Sequence, residues 1–269
     1  MSMHSKHRGF TAVDLIAVIA ISLIGIALFL VVLQLGQPRG GGSRLMNNNT
    51  QLRGIHQGFV IFAQSNKKGG NDGYFPGMDS SGNILPDGEA TGYSGDGTEP
   101  ASRLRMMLEG NFVTPDYIIN PADTRAMEAE IQPGQVEYQG LTADHFSYAM
   151  LGLAEALRHQ EGRYEPGDDL RAIEWKETLN TAAIVLSDRA LGTDRKNISS
   201  VFTEPGSGDW RGGVVRNDNS TSFETQTEFE DTKYGNNDAN DFDHIFEDEP
   251  NASDAFLVFE DAVTAYSKN

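Results

Sequence analysis

Apolar residues are distributed in three different ways along this chain, and each distribution predicts a different element. Residues 15–33 carry no formal charge and are mostly Leu, Ile, Val, Ala and Phe. As a helix, this run would cross about 30 Å of hydrocarbon. Residues 36–43 then read Gly-Gln-Pro-Arg-Gly-Gly-Gly-Ser. Pro38 and the glycines at 40–42 predict a flexible joint, because proline removes a helical donor and glycine gives up the most backbone entropy. From 44 to 66 the apolar residues return at helical spacing. Leu45, Leu52, Ile55, Phe59 and Phe62 stand mostly three, four or seven apart and form one face, expected to pack on a sheet.

The remaining chain alternates turn-rich and strand-like stretches. Residues 67–102 are rich in Gly, Asp, Ser and Pro and read as turns and an extended loop. Residues 101–110 predict a short helix with Leu104, Met107 and Leu108 facing inward. Strand-like content falls at 117–119, 146–150 and 182–186, with a second short helix at 151–159 and a polar turn at 163–169. Two short strands, 213–216 and 221–225, are joined by an Asn/Asp turn. Together these predict an α+β chain: a long N-terminal hydrophobic helix (10–35), a hinge (36–43), and one external domain (44–269) with an antiparallel sheet. That domain is long enough for a substantial core.

Charge and composition narrow the function classes. The formal net charge is −18, and there is no cysteine. A strongly acidic domain repels phosphate, so nucleic acid is not an expected partner, while cations or a basic partner are. Disulfide stabilisation and thiol catalysis are excluded. Lys6 and Arg8 precede the apolar run and favour a cytoplasmic N-terminus with the large domain outside, although Arg39 and Arg44 weaken the asymmetry. A secretory signal places a small-residue cleavage site after its apolar run, whereas here Gly9 stands before it.

The block Arg8-Gly9-Phe10-Thr11-Ala12-Val13-Asp14-Leu15-Ile16 resembles the leader and cleavage motif of type IV prepilins and type II secretion pseudopilins. The resemblance implies a leader at 1–9, cut after Gly9 by a prepilin peptidase that methylates the new N-terminal Phe10. It also implies a role for Asp14, at the mature position where the family carries glutamate, in pairing with the Phe10 ammonium during assembly. A carboxylate near the start of a membrane helix needs such a partner or a place among the headgroups. The stretch Asn47-Asn48-Asn49-Thr50-Gln51-Leu52-Arg53-Gly54-Ile55, followed by residues 59–63, resembles the post-anchor region of a large prepilin-like family of planctomycete-type bacteria. The cysteine often found before the paired asparagines there is absent. Ser187-Asp188-Arg189, Trp210-Arg211-Gly212-Gly213 and Asn217-Asp218-Asn219-Ser220 follow the order of a late strand and hairpin in the same family. Asn219 and Ser220 stand where glycine and histidine are usual. The expected function is a non-catalytic filament or pseudopilus subunit, with copies of itself or related pilins, the assembly machinery and the membrane as partners. The alternative is a membrane-tethered binding module that never polymerises.

Other chemistry is sparse. The acidic segment 228–249 holds Asp231, Asp238, Asp241, Asp243, Glu247, Asp248 and Glu249, oxygen ligands that suit calcium, but no intact calcium loop. Asp72, Asp79, Asp87 and Asp96 form a second acidic, glycine-rich area. No metal ligand set follows from either. His145 and His159 read as surface histidines, and Ser187-Asp188 lacks a nucleophile elbow through which His244 would act. Trp175, Trp210, Tyr93 and Tyr138 read as core or interface aromatics ahead of carbohydrate contacts.

Overall fold

The computed structural model describes residues 41–67, 73–86, 97–126, 138, 140–153, 171–236, 238–249, 254–261 and 263–267. The chain separates into two compact units, Met1–Ser43 and Arg44–Asn269. The second is a mixed helix-and-sheet body. No helix among the described residues is long and apolar enough to cross a membrane. The leader and the apolar run at 10–35 lie outside the described residues.

The amphipathic pattern at 44–66 becomes helix α1 (Gly41–Ser65). Gly41 and Gly42, expected to interrupt a helix, belong to its first turn. Leu52, Ile55 and Phe59 are fully buried and Phe62 nearly so. Phe59 meets Phe75 and Trp175 at ring-centroid distances of 5.7 and 5.4 Å, so the apolar face of α1 ends in an aromatic cluster. Helix α2 (Pro100–Glu109) starts on a proline at its first position, where the missing N–H costs nothing. Its Leu104, Met107 and Leu108 are buried as the spacing predicts.

Among the described residues five strands form the main sheet: β1 (Tyr148–Leu151), β2 (Ile184–Asp188), β4 (Gly212–Arg216), β5 (Thr221–Glu224) and β8 (Leu257–Val258). Their order is β5-β4-β2-β1-β8, with every neighbouring pair antiparallel. The central strand β2 is buried at all five positions, in keeping with its run of Ile, Val and Leu. A register shift between Ile184 and Leu186 bulges it against β4. Two small sheets flank the main one: β3 (Ala190–Leu191) runs parallel to β9 (Tyr266–Ser267), and β6 (Glu228–Phe229) antiparallel to β7 (Asp243–His244). The β4–β5 hairpin forms where the Asn/Asp turn predicts it. Asn219 takes φ +65° there, a left-handed conformation that asparagine tolerates better than most residues.

Two local expectations are corrected. Residues 117–119 do not form a strand: Pro115–Ile118 is a 3-10 turn, with Tyr117 N donating to Thr114 O at 2.9 Å. Pro115 followed by Asp116 favours that turn over extension. Leu151, expected to open a helix, ends strand β1, while 154–159 and the turn at 163–169 lie outside the described residues. Arg103, on the same helix as the inward-facing Leu104, is also fully buried. It donates to the carbonyls of Gly97, Leu151 and Thr98 at 2.9, 2.7 and 2.5 Å and lies 4.9 Å above the Trp175 ring.

Candidate functional site

Two polar regions flank helix α1, and their hydrogen bonding differs. The first begins at Asn48, one turn before Leu52 on the buried face. Its Nδ2 donates to Asp188 Oδ2 at 2.6 Å, and its Oδ1 accepts the Tyr148 hydroxyl at 3.0 Å. Asp188 ends β2 fully buried and also accepts Asn120 Nδ2 on Oδ1 and the Gly213 backbone N–H on Oδ2, both at 2.6 Å. Three short N–H donors thus converge on one carboxylate. Burial pushes its pKa up to about 7, against the pull of Gly213, Asn120 and Asn48. Arg189, the next residue, reaches Asp123 at 2.6 Å and stacks 5.1 Å from the Phe259 ring. Trp210 Nε1 donates to the Arg189 carbonyl at 3.2 Å.

The paired glycines seat α1 on this network. A Cβ on Gly213 would stand 2.4 Å from Leu52 Cδ1 and 2.9 Å from Asn49 Oδ1. One on Gly212 would stand 2.6 Å from the Trp210 ring and 2.8 Å from the Asp188 Cβ. The segments Asn47–Asn49, Ser187–Arg189 and Trp210–Gly213, far apart in sequence, therefore meet at one junction between helix and sheet. Asn120, which completes it, carries no sequence signal.

The second region surrounds His56, two turns further along α1. His56, Gln57, Val60, Ile61, Glu177, Leu179, Asn217, Asp218 and Asn219 line a cavity of about 290 Å³. His56 is 1 % exposed, and its ring faces the side chains of Asn217 and Asn219. Burial lowers its pKa to about 4, opposed by the nearby Asn217 and Asn219 side chains and the Asp218 charge. The imidazole is neutral at pH 7. Asn217 spends its Nδ2 on the carbonyls of Glu174 and Lys176 at 2.6 and 2.9 Å, which fixes the amide's orientation. At the rim, Ile61 and Leu179 are 56 % and 66 % exposed. His56 is missed by sequence reading because it stands beside the apolar positions of α1 with no second ligand-like residue at helical spacing.

The acidic candidates separate. Asp79 closes a tight turn, accepting the Ser81 and Asn83 backbone N–H groups at 2.7 and 2.9 Å and Asn83 Nδ2 at 3.0 Å. Asp72, Asp87 and Asp96 lie outside the described residues. Asp231, Asp238 and Asp241 are exposed. Asp243 and Glu249 instead come together with Asp254, a residue beyond the acidic run, with their oxygens within 4.8 Å of one another. Asp243 Oδ2 accepts the Thr232 hydroxyl and the Ala255 N–H. Glu249 is pushed above the usual carboxylate range by burial and then by Asp243 and Glu247. The all-oxygen donor set suits a hard cation such as calcium. The buried Arg171 guanidinium already brings positive charge here, 3.3 Å from Asp248 and 3.8 Å from Asp254.

The other sequence candidates fall as follows. Gly9, Phe10 and Asp14 lie outside the described residues, as do His159 and Tyr93. His145 is half-buried and caps its own 3-10 turn through Thr142. Ser187 Oγ donates to the Asp188 carbonyl at 2.9 Å, and no hydrogen bond joins it to His244 among the described residues. His244 is buried, with its pKa lowered to about 4 by burial and Arg195. Trp175 and Trp210 are buried in the core, against which Tyr138 packs. No known protein family, curated protein or solved structure matches the chain.

Proposed function

We propose that this chain is a structural subunit of a type IV pilus-like filament or pseudopilus, cleaved after Gly9 and assembled through residues 10–35. The observation that carries the reading is the N-terminal order of Arg8, Gly9, Phe10 and Asp14 followed by nineteen uncharged residues, 15–33. The junction between α1 and the sheet supports it, because the helix that follows the apolar run in sequence is fastened to the middle strand of the domain. Such a subunit needs no catalytic centre. Its work is to bury apolar helix surface against neighbouring copies, at roughly 25 cal/mol for each Å² removed from water. Asp14 would pair with the methylated ammonium of Phe10 and set the register. The partners on this reading are a prepilin peptidase and methyltransferase, copies of the chain or related pilins, the secretion or pilus machinery, and the cytoplasmic membrane. The domain of residues 44–269 would lie outside the cytoplasm.

A second reading is a tethered binding module that never polymerises, and the His56 cavity is the observation in its favour. Electron cryo-microscopy of filaments sheared from native cells, with mass spectrometry of the same fraction, separates the two. Filaments built from chains beginning at N-methylated Phe10, with residues 10–35 in their core, are the expected result. Recovery only as an uncleaved membrane monomer overturns the filament reading and leaves the tethered module.

A further inference from the structure

Helix α2 ends in a turn that lays residues 112–117 along α1 and leaves a cleft beside them. Asn111 takes φ +57°, its N–H donates to Leu108 O at 3.0 Å, and that of Phe112 donates to Met107 O at 2.9 Å. The chain then crosses the two glycines of α1. A Cβ on Gly54 would stand 2.4 Å from Tyr117 Cε1, and one on Gly58 would stand 3.2 Å from Phe112 O and Val113 Cγ1. The cleft has a volume of about 350 Å³, within the roughly 300–1,000 Å³ of small-molecule sites. No charged side chain lines it. In a chain with 39 acidic and 21 basic residues this sets it apart from its neighbours: the His56 cavity includes Glu177 and Asp218, and the cavity at residues 201–211 includes Glu204, Asp209 and Arg211. In place of charge the cleft offers the amides of Gln57 and Asn111 and the hydroxyls of Thr114 and Tyr117, set among Ile61 and the rings of Phe112 and Tyr117.

We propose that this cleft binds a neutral pyranose sugar. A pyranose combines an apolar C–H face with a rim of hydroxyls that both donate and accept, and the lining supplies the complement of each. Aromatic faces are electron-rich and attract C–H groups, while an amide presents donors and an acceptor side by side, as neighbouring hydroxyls require. Gln57 is exposed and Tyr117 half-buried, so their polar groups are open to a ligand. Asn111 Nδ2 reaches the Glu109 carbonyl only at 3.5 Å, too long to hold the amide there. Thr114 donates its hydroxyl proton to Asp116 and so acts in the cleft as an acceptor. The rings are in place before a ligand arrives: Phe112 meets Phe62 edge-on at 5.4 Å, and Tyr117 rests on Gly54, which lowers the ordering cost of binding. A helix of a second copy is the poorer occupant, because Tyr117 and Val113 already cover the glycines where a helix would approach closest, and two chains of charge −18 repel. The same charge disfavours an anionic sugar. The site is independent of polymerisation and would serve a filament subunit or a tethered module equally.

The test uses the full-length chain in micelles of a sugar-free detergent, labelled with ¹³C-tyrosine, with the Tyr117 ring signals assigned by their loss in a Tyr117→Phe chain. Methyl β-glucoside, methyl β-galactoside and methyl α-mannoside are titrated in, with cyclohexylmethanol as a ring lacking the hydroxyl rim and the methyl uronide of the binding sugar as its anion. The expected result is a saturable shift of the Tyr117 signals by at least one sugar, with a dissociation constant on the order of 1 mM. The uronide should bind at least about tenfold more weakly. Asn111→Gly keeps the left-handed turn and removes only the amide, and should weaken the sugar about tenfold; the remaining tyrosine signals report an intact fold. A tetrasaccharide of the same sugar separates the sources: binding at least as tight supports a glycan, and its exclusion supports a free sugar. No saturable shift with any of the three sugars at about 100 mM overturns the proposal. An equal shift with cyclohexylmethanol overturns it in favour of an apolar partner segment, and a uronide bound as tightly as its sugar overturns the neutral ligand. Full affinity in both Asn111→Gly and Gln57→Ala places the sugar elsewhere and also overturns it.

Discussion

Asn48 and His56 stand two turns apart on one helix, and both are buried, yet their surroundings are opposite. At Asn48 the amide donates to Asp188 and accepts from Tyr148, and each Asp188 oxygen receives an N–H. At His56 the neutral ring has one N–H to offer the side chains of two asparagines, Asn217 and Asn219. A polar cluster with matched donors and acceptors holds structure together, and its members are costly to remove. One with more acceptors than donors stores less for the fold, and its members can change at smaller cost. The contrast separates a closed network from an open one on a single element.

Four substitutions and one titration test that contrast, from the largest effect to the smallest. Asp188→Ala should cost about 4 kcal/mol in denaturant unfolding, because it strands the N–H groups of Asn48, Asn120 and Gly213. A loss below about 1 kcal/mol would show that the network is not a fastening. Arg171→Met should cost about 3 kcal/mol by removing the guanidinium beside buried Asp254. If the three carboxylates then accept calcium, millimolar calcium will restore part of the melting temperature, and an unchanged Tm in calcium removes the cluster as a cation site. Gly213→Val should cost about 2 kcal/mol by pushing Leu52 and α1 away from β4. His56→Leu should fall within about 1 kcal/mol of the parent, or above it, since an imidazole that burial already penalises gives way to an apolar group of similar size. A loss of 3 kcal/mol there would mean that His56 is as integral as Asn48.

The titration sets the two regions against each other directly. Asp188 has its folded pKa raised from 3.8 to about 7, so its contribution to stability is fully present below pH 3.8 and is lost as pH rises through 7. His56 has its folded pKa lowered from 6.5 to about 4, so its contribution is present above pH 6.5 and is lost as pH falls through 4. Between pH 7 and 4 the two oppose each other, with His244 acting alongside His56. The His56→Leu chain should therefore lose less stability on acidification than the parent, measured by unfolding at a series of pH values. Parallel pH profiles for the two chains would contradict the buried, uncharged state of His56.

The part of this arrangement legible in the sequence is the local part. Spacing identifies the face of Leu52, Ile55, Phe59 and Phe62, and turn composition identifies the hairpin at Asn217–Ser220, because both are dictated within a few residues. The junction is not legible in that way. Asn48 and Asp188 are 140 positions apart and Asn120 and Asp188 are 68, and an isolated asparagine or aspartate carries no information about so distant a partner. The resembling segments Ser187–Arg189 and Trp210–Gly213 mark positions of consequence, but only the fold shows that they share one carboxylate and one close helix approach. Buried Arg103 is unreadable for another reason: an arginine at that spacing ordinarily faces water, and only the three carbonyls gathered round it make burial tolerable.

The position of Asp188 also has a mechanical consequence. It ends the middle strand of the five, which has a neighbour on each side, β1 and β4. Tension applied to the first turns of α1 would pass through Asn48 into that strand and divide between two ladders, with no edge strand available to peel away. A domain tethered there would resist pulling at its N-terminal helix better than pulling at β5, which has a single ladder to lose.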